Sequence, residues 1–165
     1  MPLPSTMTPI ATNTLSSAAA SVTFSSISGS YTDLIIIATL QTSNTVNMNM
    51  RFNSDSGSNY SNTSLAGNGT VAASGRDTNA TESKIDYYAA ASNTAKQYII
   101  NIPSYANTSV YKNHLTRGSL PSGEAVAMVG LWRNTNAITS ITILPGNGNM
   151  NTGSTFTLYG IKAAS

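Results

Sequence analysis

Val46-Asn47-Met48-Asn49-Met50-Arg51-Phe52-Asn53 alternates apolar and polar side chains without a break. Successive side chains of an extended chain point to opposite faces. This stretch therefore sets Val46, Met48, Met50 and Phe52 on one side and Asn47, Asn49, Arg51 and Asn53 on the other. A helical period would scatter the same residues around a cylinder. The stretch is read as a strand with one buried and one wetted face.

The same rhythm recurs at Val22/Phe24, Tyr98/Ile100/Ile102, Val126/Met128/Gly130/Trp132 and Ile141/Ile143. Thr155-Phe156-Thr157-Leu158-Tyr159-Gly160-Ile161 also reads as strand. Leu34-Ile35-Ile36-Ile37-Ala38 is continuously apolar, which suggests a strand covered on both faces or buried at the centre of a sandwich. Between the runs lie turn clusters such as 53–59, Gly67-Asn68-Gly69 and Pro145-Gly146-Asn147-Gly148-Asn149. Asn, Asp and Gly reverse a chain at little steric cost. No long window keeps a helical period, and the best helical candidate is a short turn around Tyr87 to Ala95. About ten short strands with frequent turns predict an all-β fold, an antiparallel β-sandwich with a jelly-roll arrangement preferred.

The chain of 165 residues fits one domain. Residues 1–10, punctuated by Pro2, Pro4 and Pro9, are expected to form an extended arm, and residues 11–165 a single sandwich. Residues 66–84 lack apolar periodicity and are expected to be an exposed loop. Charged residues make up only 8%, against about 25% in ordinary soluble domains. Ser, Thr and Asn fill roughly 39% of positions instead, far above common usage. This excludes a coiled coil, which needs charged flanks and strong helix formers. Recurrent β-branched and aromatic residues exclude a disordered tail.

With no Cys there is no disulfide framework and no thiolate metal site. No apolar run has the length of a membrane span. The start, Met1-Pro2-Leu3-Pro4-Ser5-Thr6, lacks the basic and apolar regions of a signal peptide, so host secretion is not expected. The net charge of +2 comes from scattered Lys and Arg, without the basic stripe that neutralises neighbouring phosphates, so no nucleic-acid partner is expected.

Several phrases resemble a structural domain of tailed-bacteriophage virion proteins, found alone or at the ends of tail-fibre-like chains. They are Val22-Thr23-Phe24-Ser25-Ser26-Ile27 with Tyr31-Thr32-Asp33-Leu34, then Arg51-Phe52-Asn53-Ser54-Asp55-Ser56-Gly57-Ser58-Asn59-Tyr60 and Gly67-Asn68-Gly69. Ile102-Pro103-Ser104-Tyr105, Gly130-Leu131-Trp132-Arg133 and Leu158-Tyr159-Gly160-Ile161 follow in order. The resemblance spans about residues 10–163. It implies a β-sandwich virion component similar to carbohydrate-binding modules and capsid decoration domains, and it carries no catalytic residues.

Candidate sites are few. Asn53, Asp55, Ser58 and Asn59 around Gly57 form an oxygen-rich loop, but calcium needs 6–8 oxygens and usually several carboxylates. Only Asp55 is charged, and a self-capped hairpin turn is the preferred reading. Glycoside hydrolysis needs two acids flanking the bond. Asp33, Asp55, Asp77, Glu82, Asp86 and Glu124 sit in no positioning motif, and Glu82 and Asp86 lie in or beside the expected loop. His114, the one histidine, has no second His or Cys for zinc, and no Gly-x-Ser-x-Gly elbow accompanies it. Five Asn-x-Ser/Thr sequons, at Asn59, Asn62, Asn68, Asn79 and Asn107, follow from the abundance of these residues.

Aromatic rings stack on sugar faces while amides bind hydroxyls. Tyr60, Tyr87, Tyr88, Tyr105 and Tyr111 are therefore the candidate glycan or partner contacts, with Trp132 assigned to the core. No catalytic, metal or cofactor-binding residue is assigned.

These observations together predict a non-enzymatic virion protein on the particle exterior. The preferred version is a capsid decoration (cement) protein bound to the major capsid protein as a homo-oligomer, with a trimer the form expected. The alternative is a tail-fibre or neck-appendage domain that contacts host glycans. A free carbohydrate-binding module and a small glycan-active enzyme are the competing classes.

Overall fold

Strands with one buried face account for the architecture of the computed structural model, which describes residues 6–89, 91–121 and 123–162. In chain order they are β1 (Met7–Thr14), β2 (Val22–Phe24), β3 (Asp33–Leu40), β4 (Met48–Phe52), β5 (Tyr60–Gly67) and β6 (Ala72–Ala80). There follow β7 (Ser83–Lys84), β8 (Lys96–Pro103), β9 (Lys112–Ser119), β10 (Ala125–Trp132), β11 (Ile141–Pro145) and β12 (Thr155–Ile161). No helix occurs among the described residues.

The strands form two antiparallel sheets, one of eight strands in the order β1-β12-β3-β8-β9-β10-β5-β6 and one of four in the order β2-β11-β4-β7. The expected antiparallel sandwich is present. Eight against four strands is a different division from the eight-stranded double Greek key of a jelly roll, so that finer assignment does not describe the whole.

The core lies between the sheets. Val22, Phe24, Met48, Met50, Phe52, Ile141 and Ile143 of the smaller sheet meet Leu34, Ile36, Leu40, Ile100, Ile102, Phe156 and Leu158 of the larger. Each such side chain contributes about 1.5–3 kcal/mol on burial. Trp132 is buried here as expected, stacked with Tyr60 at 6.4 Å and tilted against Phe52 at 5.6 Å. The larger sheet extends past the smaller one at its β10-β5-β6 end. There Ala66, Val126 and Met128 form a satellite cluster, roofed by Tyr87 and Tyr88 from the segment after β7.

Four expectations need correction. From Met7 onward the arm expected over residues 1–10 is strand β1, paired with β12 from Met7↔Ile161 to Thr14↔Thr155, while residues 1–5 lie outside the described residues. Pro9 is accommodated at a register shift on this edge strand, where a missing N–H is tolerated. Residues 66–84 are not a loop: β6 pairs with β5 across a turn where Gly69 has φ +83. Asn68 Oδ1 closes that turn by accepting from the Thr70 and Val71 amides. β6 shows no apolar rhythm because it buries almost nothing on either face and is held by its backbone ladder. The short helical turn near residues 87–95 is absent among the described residues. Finally, β3 is covered on one face only: Leu34, Ile36, Ala38 and Leu40 point inward, while Ile35 and Ile37 point out.

Candidate functional site

The loop from β4 to β5 is held by its own polar side chains. Asn53 and Ser54 take left-handed backbone angles, φ 51 and 58, which Asn tolerates well. Asn53 Oδ1 accepts from the Thr139 and Ser140 amides at 2.8 and 3.1 Å, and its Nδ2 donates to Ala137 O. Asp55 Oδ1 accepts from the Gly57 amide at 2.8 Å, and Oδ2 accepts from Asn59 Nδ2 and from Trp132 Nε1 at 2.9 and 2.7 Å. A Cβ on Gly57 would lie 2.9 Å from Asn59 Nδ2 and 3.1 Å from Asp55 Oδ1, so a larger residue there would push these bonded side chains aside. Burial pulls the Asp55 carboxyl up, but these three donors outweigh it and hold the group below its usual value. The carboxylate ties a core tryptophan to the loop, and both of its oxygens are engaged. The self-capped turn is the structure found.

The five candidate tyrosines do not form one platform. Tyr60 is buried, its hydroxyl accepting from the Phe52 amide and donating to Asp55 O, and burial pushes it up to about 12. Tyr105 is also buried; its hydroxyl donates to Ser28 O and accepts from the Tyr31 amide. Neither ring faces solvent, which corrects the assignment of both as surface contacts. Tyr87 and Tyr88 are half-buried in an edge-to-face pair with centroids 4.9 Å apart, and they cover the satellite cluster. Only Tyr111, 53% exposed beside Val110, is free to meet a partner.

The acids are likewise dispersed. Asp33 caps the Ser104 amide, Glu82 pairs with Arg51, and Asp77 pairs with Lys84 at 3.0 Å. Asp86, placed near a surface loop by its sequence context, is buried instead. Its Oδ1 accepts from the Met48 amide at 3.0 Å and its Oδ2 from the Tyr98 hydroxyl at 2.6 Å. Burial raises it to about 6, against the opposing pull of the Tyr98 hydroxyl and of Lys96. Lys96 is buried nearby, donates to Val46 O at 2.6 Å, and is held below its ordinary value by burial. No group of three His, Asp or Glu side chains suited to a metal occurs among the described residues.

A pair that sequence could not show is Ser83 and His114, 2.6 Å apart from Oγ to Nε2 and wholly buried. The distance suits a nucleophile and its base. Proton bookkeeping argues otherwise. The single Ser83 hydroxyl proton goes to Asn62 Oδ1 at 2.8 Å, an oxygen that also accepts from the Lys84 amide. Nε2 must then carry the ring proton and donate to Ser83, leaving Nδ1 to accept from Thr116 Oγ1 at 3.1 Å. The basic lone pair faces Thr116, and the serine is not activated. Burial lowers His114 to about 4, so the ring is neutral near pH 7. The cluster stitches β5, β7 and β9 together.

What remains open to solvent is surface. A shallow depression of about 380 Å³ lies on the outer face of the eight-stranded sheet, where Ile37, Thr39, Gln97, Ile99, Arg117 and Ser119 surround it. The outer side of the four-stranded sheet is polar: Thr23 and Thr142 hydroxyls bond across β2 and β11 at 2.9 Å, beside the Arg51–Glu82 pair. No protein-family model matches the chain, and no curated protein matches its sequence.

Proposed function

We propose that this chain is a non-enzymatic structural protein on the outside of a tailed-bacteriophage particle, in the role of a decoration protein that braces neighbouring capsid subunits. The observation that carries the non-enzymatic part is the internal use of the reactive groups. His114, Asp55 and Asp86 each satisfy buried donors or hydroxyls of the same chain. They are occupied as fasteners, and the exterior is largely hydroxyl and amide on a doubly layered sheet. Such a body suits assembly through broad β surfaces. The virion assignment rests on the ordered resemblance between residues 10 and 163.

The test is placement on the particle. Immunogold labelling or a particle map is expected to put the protein on the head, and particles lacking it are expected to release their genome at lower temperature. The exposed Tyr111 and Val110 favour one alternative, a fibre or neck appendage touching host glycans. Particles that keep their heat resistance without the protein, yet fail to adsorb, would select that version.

A further inference from the structure

Arg117 is the one charged side chain in an otherwise uncharged row on the outer face of the eight-stranded sheet. The registers set Ile37 on β3, Ile99 on β8, Arg117 on β9 and Ala127 on β10 side by side. The next outward row is Thr39, Gln97, Ser119 and Ala125 on the same strands. The depression of about 380 Å³ lies over these two rows, and its volume is that of a small-molecule site. Two further hollows, of about 210 and 290 Å³, adjoin it at Thr39 and at Gln97 and Ser119, and both reach Ala95. Together they make a groove that runs off the end of the sheet.

The polar side chains along this groove are unused by the fold. Arg117, Thr39, Gln97 and Ser119 are exposed, and none of them makes a side-chain hydrogen bond among the described residues. Outward threonines elsewhere do bond across strands, as Thr12 does with Thr157 and Thr23 with Thr142. The acids of the large sheet are engaged away from Arg117. Asp33 caps the Ser104 amide about 13 Å along β3 from Ile37, and Asp77 pairs with Lys84.

We infer that this groove binds an acidic oligosaccharide, with the carboxylate of a uronate ring on the Arg117 guanidinium. A planar guanidinium meets a planar carboxylate through two parallel N–H···O bonds. One cation suits the single charge of each uronate. Ile37 and Ile99, 40% and 37% exposed, offer an apolar bed for the C–H face of the ring. Thr39, Gln97 and Ser119 lie in a row beside that bed, where ring hydroxyls can exchange hydrogen bonds with them. A peptide fits this place poorly. β3, β8 and β9 are interior strands, paired on both sides. An extended peptide lying across them would find no main-chain partners for its own amides. The inference does not depend on the virion assignment.

Calorimetric titration of the purified chain tests it, with trimers of galacturonate and of mannuronate as probes. Maltotriose, acetate and the peptide acetyl-Ala-Glu-Ala-amide serve as comparisons. At least one uronate trimer is expected to saturate the chain with a Kd below about 1 mM at about 0.05 M NaCl. Amide NMR shifts are expected to move in β3, β8, β9 and around Ala95. Arg117→Gln is expected to weaken binding about tenfold or more, by loss of the charged hydrogen bonds. Arg117→Lys keeps the charge without the fork and is expected to recover part of that loss. Both changes are at an exposed strand position, so thermal melting is expected to match the wild type. No saturation by either trimer at about 10 mM overturns the inference. So does equal binding of maltotriose or acetate, tighter binding of the peptide, or full affinity in Arg117→Gln. A wild type that binds no probe while Arg117→Gln self-associates also overturns it, and assigns Arg117 to keeping the apolar row in solution.

Discussion

Replacing Asp86 by Asn, and separately His114 by Gln, is expected to expose two opposed pH dependences that hide each other in the wild type. Asp86 has a folded value near 6 against an ordinary 3.8. Below 3.8 both states carry its proton and it contributes nothing. Between 3.8 and 6 the native state keeps a proton that the unfolded chain has released, so stability falls as pH rises. A displacement of about two pH units corresponds to about 3 kcal/mol. His114 has a folded value near 4 against 6.5. Between those values the unfolded chain binds a proton that the native state refuses, so stability rises with pH by about 3 kcal/mol. Asp55 acts only below its ordinary 3.8, outside this window. The wild type should therefore be nearly flat from pH 4 to 6.5. Asp86→Asn retains the acceptor for the Met48 amide and leaves the histidine slope, so its stability should climb by about 3 kcal/mol over this range. His114→Gln retains a polar atom near Ser83 and should lose a similar amount as pH rises to 6. Urea unfolding at half-unit pH steps reads both. Equal slopes of the same sign in the two variants would refute the assignment of these groups as the titrating pair.

Gly130→Ala should cost about 2 kcal/mol or more in urea unfolding, since the new Cβ would overlap the His114 ring and Ser83 Oγ within a close-packed interior. Asp55→Ala leaves the buried Trp132 N–H unpaired and should cost about 2–3 kcal/mol, with Asp55→Asn recovering part of the loss by thermal melting. Tyr111→Ala should leave stability within about 0.5 kcal/mol, while abolishing glycan-array binding if the appendage version holds.

Alternation was legible where the face that packs inward is apolar, and was lost in β5 and β9, which turn Asn62, Ser64, Lys112, His114 and Thr116 inward. Met48–Phe52, Val126–Trp132, Ile141–Ile143 and Thr155–Ile161 all lie in strands with inward apolar sets. It failed where burial does not set the pattern. β6 and β1 are the two edges of the large sheet and bury little, so their sequences carry no rhythm to read. Ile35 and Ile37 broke the rhythm of β3 in the other direction, because the outer face there is itself apolar. Tyr105 and Asp86 misled through their neighbours: each lies beside turn residues, and each is buried by segments far away in sequence, at Ser28 and at Met48. The Ser83–His114 contact joins residues 31 apart on different strands and leaves no local trace.

A chain with 8% charged residues should be indifferent to salt, and the placement of those charges sharpens the expectation. Two ion pairs are described, Arg51–Glu82 and Lys84–Asp77, both partly exposed. Pairs of that kind contribute about 0–1 kcal/mol each and are screened by salt. Lys96 and Lys112 are buried but donate to backbone carbonyls, Lys96 to Val46 and Lys112 to Val110 and Thr135. Salt screens such short, enclosed bonds poorly. Raising NaCl from about 0.05 to about 1 M should therefore change unfolding free energy by no more than about 1 kcal/mol. A larger loss would mean that dispersed surface charges carry stability that neither ion pair accounts for. The flat response expected between pH 4 and 6.5 has a different origin: it follows from cancellation between the opposed displacements of Asp86 and His114, not from scarcity of charge. A single substitution should thus abolish the tolerance of pH while leaving the tolerance of salt, and measuring Asp86→Asn against both variables separates the two causes.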